Sequence, residues 1–310
     1  MNSSQVSSFT LSGYTDTGLF RFPLFLVVLL LYVLIVAANV AVMLVICVNR
    51  SLHEPMYMFL CSLFVNELYG STGLFPSLLV QILSDLHTVP APLCFLQVYC
   101  LYSYGGIEFL SLAIMSYDRY LAICFPLRYH ALMTLKRVGF LTALIWLYPL
   151  FINMVFVSWT VRLQLCGNVI NKVYCDNFYI VRLSCSDTTA YSVFGLVHIF
   201  TVIFGLFLLI LYTYMRILWV CCTGSKLTRR KAVSTCTPHL VSLLNFFSGS
   251  FFEIIQSRFN MSRLPNAMRI FFSLYWLTSQ PLASPLLYGL NVTKIRDVLL
   301  TIAHLRAAAK

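Results

Sequence analysis

The chain has 310 residues, 60% of them hydrophobic and only 10% charged, and its mean hydropathy is +0.84. A soluble globular domain is about one quarter charged, so most of this surface must meet lipid rather than water. Lys and Arg outnumber Asp and Glu by 21 to 10. A nucleic-acid partner would need that charge on one folded polar face, whereas here it falls in the connections between apolar runs, which excludes that class.

Residues 1–22 read as an outer tail. Met1 to Phe9 lacks a basic segment followed by a short apolar core and a cleavage site, so no removable signal peptide is expected. Asn2, in Asn2-Ser3-Ser4, is the favoured glycan acceptor. Apolar stretches then predict spans at 23–48, 58–83, 94–120, 138–159, 191–222, 231–256 and 268–290. These runs are continuously apolar and far longer than the roughly ten alternating residues of a barrel strand, which predicts helices. The expected fold is an all-α membrane protein, a seven-transmembrane helix bundle over residues 23–290 with a short tail at 291–310. Seven spans of about 25 residues leave no room for a separate catalytic domain. Fourteen of the 21 basic residues fall on the side of the loops after spans one, three, five and seven. That bias puts the C-terminus inside and the N-terminus outside.

Ionisable groups within a span are costly and therefore informative. Glu67 in span two, Glu108 in span three and the amide of Asn39 in span one lie at similar depth. They could hold a hard cation such as Na⁺, or one carboxylate could be protonated with both simply hydrogen-bonding their neighbours. No cofactor is otherwise required. At about 100° per residue, Leu101, Gly105, Glu108, Leu112 and Arg119 share one stripe roughly 27 Å long. Its inner end is Asp118-Arg119-Tyr120, a carboxylate and guanidinium that can pair in one conformation and part in another. Tyr214 and Tyr288 lie near the inner ends of spans five and seven and complete a candidate switch. Gly105 and Gly106, beside Leu101 and Tyr102, read as a pocket floor, with close helix packing the nearly equal alternative. Phe247, Ser250, Phe251, Ile254 and Arg258 follow helical spacing on span six and suggest an apolar pocket wall beneath a cation. Arg258 is read as an anion clamp or a residue snorkelling to head groups. His198 adds a further polar contact, more often a packing residue than a ligand. Pro149, Pro281 and Pro285 predict kinks. Of the eleven cysteines, Cys94, Cys166, Cys175 and Cys185 fall on the outer, oxidising side, and spacing leaves three pairings open.

Three stretches carry a resemblance: Leu52-His53-Glu54-Pro55-Met56-Tyr57-Met58-Phe59-Leu60, Met115-Ser116-Tyr117-Asp118-Arg119-Tyr120-Leu121-Ala122-Ile123-Cys124 and Lys231-Ala232-Val233-Ser234-Thr235-Cys236-Thr237-Pro238-His239-Leu240. In this order they resemble vertebrate odorant receptors of the rhodopsin-like G-protein-coupled superfamily, and Asn66-Glu67-Leu68-Tyr69-Gly70 is similar to the fish-type members. The resemblance implies a small-molecule odorant bound among outer parts of spans three, five, six and seven. It implies a stimulatory olfactory G protein, raised cyclic AMP, and a place in the plasma membrane of olfactory sensory cilia. It also implies disulfides Cys94–Cys175 and Cys166–Cys185, a switch at Asp118, Arg119 and Tyr120, a sodium site at Glu67 and Glu108, and an acid clamp at Arg258. Three departures stand out. Glu67 replaces the usual Asp, Ser284 replaces the usual Asn with loss of that amide's hydrogen bonds, and Leu101 lacks the acid by which amine receptors hold an ammonium, so a biogenic-amine ligand is disfavoured. The competing class is an ion channel or transporter that uses the two carboxylates as a path. An enzyme is not expected, since no nucleophile, base and orienting group share a depth and no His/Cys metal pattern occurs.

Overall fold

In the computed structural model, which describes residues 6–14, 18–224, 226–258 and 266–291, the seven apolar runs fold as seven long helices. In chain order the helices are α1 (Arg21–Val48), α2 (Pro55–Leu83), α3 (Ala91–Cys124), the short α4 (Tyr129–Leu132), α5 (Leu135–Val161), the short α6 (Asn177–Arg182), α7 (Thr189–Thr223), α8 (Lys226–Arg258) and α9 (Asn266–Asn291). The long ones range from 26 to 35 residues. At 1.5 Å per residue even the shortest reaches about 39 Å, more than the roughly 30 Å of bilayer hydrocarbon. Each span therefore overruns its expected bounds by a few residues at one end or both.

Four of these helices, α1 with the turn before it, α3, α5 and α7, are apolar enough to cross a bilayer by composition. The other three are more polar because they turn polar side chains inward. Glu67, Ser71 and Gln81 on α2, His239 and Ser242 on α8, and Gln280 and Ser284 on α9 are all buried. Leu30, Phe140, Phe151 and Phe200 instead stand largely exposed on the outer wall, as side chains that meet lipid do. At the centre, α3 packs on α2, α5, α7 and α8, while α1 packs on α2 and α9.

Local chemistry sets the helix ends. Pro55 opens α2, where its missing N–H costs nothing. The Thr134 hydroxyl accepts the Arg137 N–H at 3.4 Å and caps α5. Asp176 Oδ1 accepts the N–H groups of Phe178 and Tyr179 at 2.9 and 3.3 Å and starts α6. Helices α5 and α9 continue through Pro149, Pro281 and Pro285.

The end of the bundle that meets the N-terminal segment departs from an all-helical expectation. Within the segment read as a tail, β1 (Ser8–Leu11) pairs antiparallel with β2 (Thr88–Pro90), matching Phe9 to Val89, and parallel with β3 (Val169–Ile170), matching Leu11 to Ile170. Alternation sends Phe9 and Leu11 to one face, where they are buried with Val89, Val98, Ile170 and Ile180. Two disulfides hold this lid. Cys94–Cys175 ties the loop after α5 to the start of α3 across 81 residues, and Cys166–Cys185 closes a loop of 19.

Candidate functional site

Midway through the bundle, Glu67 of α2 and Glu108 of α3 are fully buried and lie close enough to repel one another. Donors from neighbouring helices reach both. The Ser284 hydroxyl donates to Glu67 Oε1 at 2.9 Å, and the Tyr104 hydroxyl lies 3.5 Å from Glu67 Oε2. Asn66 Nδ2 donates to Glu108 Oε2 at 2.9 Å and Gln280 Nε2 to Glu108 Oε1 at 3.1 Å. Gln280 extends the network to Ser242 and Asn245 of α8, at 2.6 and 2.8 Å. Two sequence readings need correction here. The hydrogen bonds expected to vanish with Ser284 are replaced, because the longer Glu67 side chain reaches the shorter Ser284. Asn39 shares this depth without touching the carboxylates. Its Nδ2 donates to the carbonyls of Ile35 and Pro281, both at 2.9 Å. Pro285 has no N–H to offer the carbonyl four residues before it, and Asn39 supplies the missing donor. Among the described residues, the oxygens Asn39 Oδ1, Asn66 Oδ1, Ser71 Oγ and Ser111 Oγ are buried without hydrogen-bond partners. Those of Asn66, Ser71 and Ser111, on the two helices that carry the carboxylates, fit a hard cation. Among the described residues no three His, Cys, Asp or Glu side chains gather into a further metal site.

Near the C-terminal end of α3, Asp118 is buried and pairs with its neighbour Arg119, whose side chain is 13% exposed. The Tyr129 hydroxyl of α4 donates to Asp118 Oδ1 at 2.7 Å, so the carboxylate is held from two sides. Tyr120 packs against Tyr212 and Phe125 rather than against the pair. Tyr214 hydrogen-bonds His239 Nδ1 of α8, a partner that sequence reasoning missed. Tyr288 is buried, with its ring edge-on to Phe64.

Beneath the lid lies a third polar centre, absent from the sequence reading. Lys172, carried by the loop after β3, pairs with Glu253 of α8 and donates to Ser273 Oγ of α9 at 3.1 Å. The Tyr174 hydroxyl donates to the same Glu253 oxygen at 3.1 Å. The Lys172 ammonium also stands 5.5 and 5.6 Å from the ring centres of Tyr174 and Tyr179. Asp176 is nearby; burial pushes its carboxyl above the usual range, and the Lys172 charge opposes that shift. Its neighbour Tyr102 faces it from α3.

The expected pocket residues divide. Leu101 is buried on the inward stripe with Gly105, Glu108 and Leu112, and Phe247 sits inside against Phe109 and Phe207. Ser250 is half-buried, and its hydroxyl oxygen has no partner among the described residues. A side chain added at Gly105 would meet Trp276 at an ordinary 3.5 Å, but one at Gly106 would come within 2.9 Å of Pro149. Gly106 is therefore a helix-packing position and not pocket floor. Phe251 and Ile254 are 66% and 44% exposed and face outward, so the inner face of α8 is Phe246, Gly249 and Glu253, one residue round from the face expected. His198 accepts or donates at 2.8 Å to Tyr148 and packs on Phe156, in the α5–α7 seam rather than the pocket. An open groove of about 570 Å³ on the outer end of α5, lined by Met154, Trp159 and Arg162 among others, includes none of the expected ligand residues. The Arg258 side chain and Asn2 lie outside the described residues. An acid inside a span was the signal for Glu253, and it was applied only to Glu67 and Glu108.

The family model described as "Olfactory receptor" matches residues 28–305. Olfactory receptor 8U3 of Mus musculus is 33% identical over 305 residues, covering 96% of this chain and 93% of its own. Olfactory receptor 6N1 of Homo sapiens is 34% identical over 302 residues, covering 96% and 95%. Squid rhodopsin superposes with a TM-score of 0.71 at 14% identity, covering 92% of this chain and 81% of its own, which shows a shared fold. The chain therefore belongs to the olfactory receptor family of multi-pass, seven-helix membrane receptors and is not an enzyme.

Proposed function

We propose that the chain is an odorant receptor of the plasma membrane, in olfactory sensory cilia, that binds a small molecule under the lid between α3, α8 and α9 and activates a stimulatory olfactory G protein. The reading rests on one observation above the others: the stripe from Leu101 through Glu108 to Arg119 is buried along its length and joins the lidded end to an ion pair at the opposite rim. The lid end carries both disulfides, which supports placing it outside, and the basic excess supports placing Arg119 inside. A ligand that moves α8 and α9 disturbs the Gln280 and Ser284 bonds to the central carboxylates, and through α8 the Tyr214–His239 contact. Arg119 then leaves Asp118 and meets the G protein. Receptor-dependent cyclic AMP in a reporter cell is expected to vanish in Arg119→Ala at unchanged surface expression. A response that survives that change would remove this mechanism.

Within the same reading, Na⁺ sits between Glu67 and Glu108 in the inactive state. Two buried carboxylates flanked by unpartnered Asn66, Ser71 and Ser111 oxygens support it. Asn2 in the outer tail is the proposed glycan site.

A further inference from the structure

The Lys172 ammonium is surrounded as a bound ammonium would be. Glu253 gives it a counter-charge and Ser273 a neutral acceptor at 3.1 Å, while Tyr174 and Tyr179 turn ring faces toward it at 5.5 and 5.6 Å. The side chain is 2% exposed. One carboxylate, one hydroxyl and two ring quadrupoles around so enclosed a site recognise a primary ammonium. Stability alone does not favour charge at this place, since a buried ion pair gains little over well-packed apolar residues of similar size.

The charges in this centre do not balance. Counted as formal charges, Lys172 is one cation against two buried carboxyl groups, Glu253 and Asp176, that both feel its field. Glu253 Oε2 is buried and has no hydrogen-bond partner among the described residues. A second ammonium would bring the group to neutrality. Attachment also differs between the partners. Glu253 belongs to a bundle helix, but Lys172 hangs from the lid on four methylenes. Its backbone is pinned by its own N–H to the Ile170 carbonyl at 2.9 Å and by the Gly13 N–H to its carbonyl at 3.2 Å. A side chain of that length can move its ammonium while the lid backbone stays in place, and Asp176 is the second carboxyl group within its field.

We propose that Glu253, Ser273, Tyr174 and Tyr179 form a primary-ammonium binding site that Lys172 fills in the unliganded chain, and that the receptor's ligand is a small primary amine that takes that place. The inference rests on the receptor reading above and names the ligand class of the same outer site. The ligand ammonium pairs with Glu253 and the displaced lysine with Asp176, so two cations face two carboxylates. Leu101 lacks an acid on α3, which argued against an ammonium ligand; Glu253 provides that acid from α8. Because Lys172 is tethered, it competes at high effective concentration, and amine binding to the unmodified chain is correspondingly weak.

The test uses the full chain in lipid nanodiscs, with n-butylamine as probe and 1-butanol as its uncharged counterpart, and reads thermal unfolding and titration calorimetry. Lys172→Gln removes the competing charge and is expected to bind n-butylamine at least tenfold more tightly than the unmodified chain, with no gain for 1-butanol. Adding Glu253→Gln is expected to abolish the gain. Any other pattern, such as equal shifts by both probes or a gain that survives Glu253→Gln, overturns the site. Should Lys172→Gln not fold, the same probes on the unmodified chain and on Ser273→Ala decide. A butylamine-specific shift that weakens several-fold in Ser273→Ala supports the site, and any other pattern overturns it. No G protein enters these measurements. Failure of the amine while other odorants still raise cyclic AMP would sink this inference alone, and loss of all signalling with amine binding intact would sink only the receptor reading.

Discussion

Asp118 and Arg119 are neighbours on one helix, while Lys172 and Glu253 are 81 residues apart on a lid loop and a bundle helix. Both pairs are largely buried, yet they can do different work. Adjacent residues spend almost no chain entropy to meet, and parting them moves no backbone, which suits an element that must open and close. The distant pair holds the lid to α8 and, through Ser273, to α9, so its loss loosens the outer architecture. Exposure sharpens the contrast: Arg119 keeps 13% of its side chain open at the rim and can turn to water, whereas Lys172 keeps 2%.

The largest expected effect follows from stranding charge under the lid. Lys172→Met leaves Glu253 and Asp176 buried with no cation and is expected to cost about 3–5 kcal/mol, read as a lower Tm and reduced surface expression. Glu253→Met should cost clearly less, because Lys172 still has Asp176 within reach of its charge. Combining the two should recover most of the Lys172→Met loss. Equal costs for the two single changes would mean that Asp176 plays no part and that the two pairs differ only in span.

The same contrast explains what could be read ahead of the structure. The seven helices were legible because each is one long apolar run, and Asp118–Arg119 was legible because its partners are adjacent. The α3 stripe was legible because a buried helix with one polar line announces its own face. The face of α8 was not. Phe246, Phe247, Phe251 and Phe252 surround that helix, and in lipid an aromatic stripe points outward as readily as inward. Of these, Phe251 faces out while Phe246 is buried against Phe109 and Tyr104. The strand β1 is only four residues of alternation and gains its partners from loops about 80 and 160 positions away. Gly13 shows how close that approach is: a Cβ there would lie 2.4 Å from the Lys172 carbonyl carbon. Lys172 was therefore counted as loop charge, since nothing local placed it beside Glu253.

Between the two pairs lies the centre that couples them, and its expected effect is intermediate. If Na⁺ bridges Glu67 and Glu108, agonist affinity in the unmodified receptor should fall several-fold as sodium rises, a coupling of about 1 kcal/mol. Glu108→Gln should flatten that titration; its single amide oxygen keeps the bond from either Asn66 Nδ2 or Gln280 Nε2, both of which donate to the carboxylate. A sodium response that persists in Glu108→Gln would leave the carboxylates as structural partners of Ser284 and Gln280 alone.

The smallest effect on stability, and the most telling for function, is expected at Asp118. Asp118→Asn keeps the shape of the side chain and an oxygen for the Tyr129 hydroxyl, which donates at 2.7 Å. It removes the charge that holds Arg119. Arg119 keeps 13% of its side chain open and can turn to solvent once released, so the loss of stability should be about 1–2 kcal/mol, well below that of Lys172→Met. Basal cyclic AMP should nevertheless rise severalfold without any ligand, since the adjacent pair no longer competes with the G protein for Arg119. The thermal midpoint and the basal signal measured on the same variant separate the two roles. A large loss of stability with unchanged basal signal would make the inner pair a fastener like the outer one.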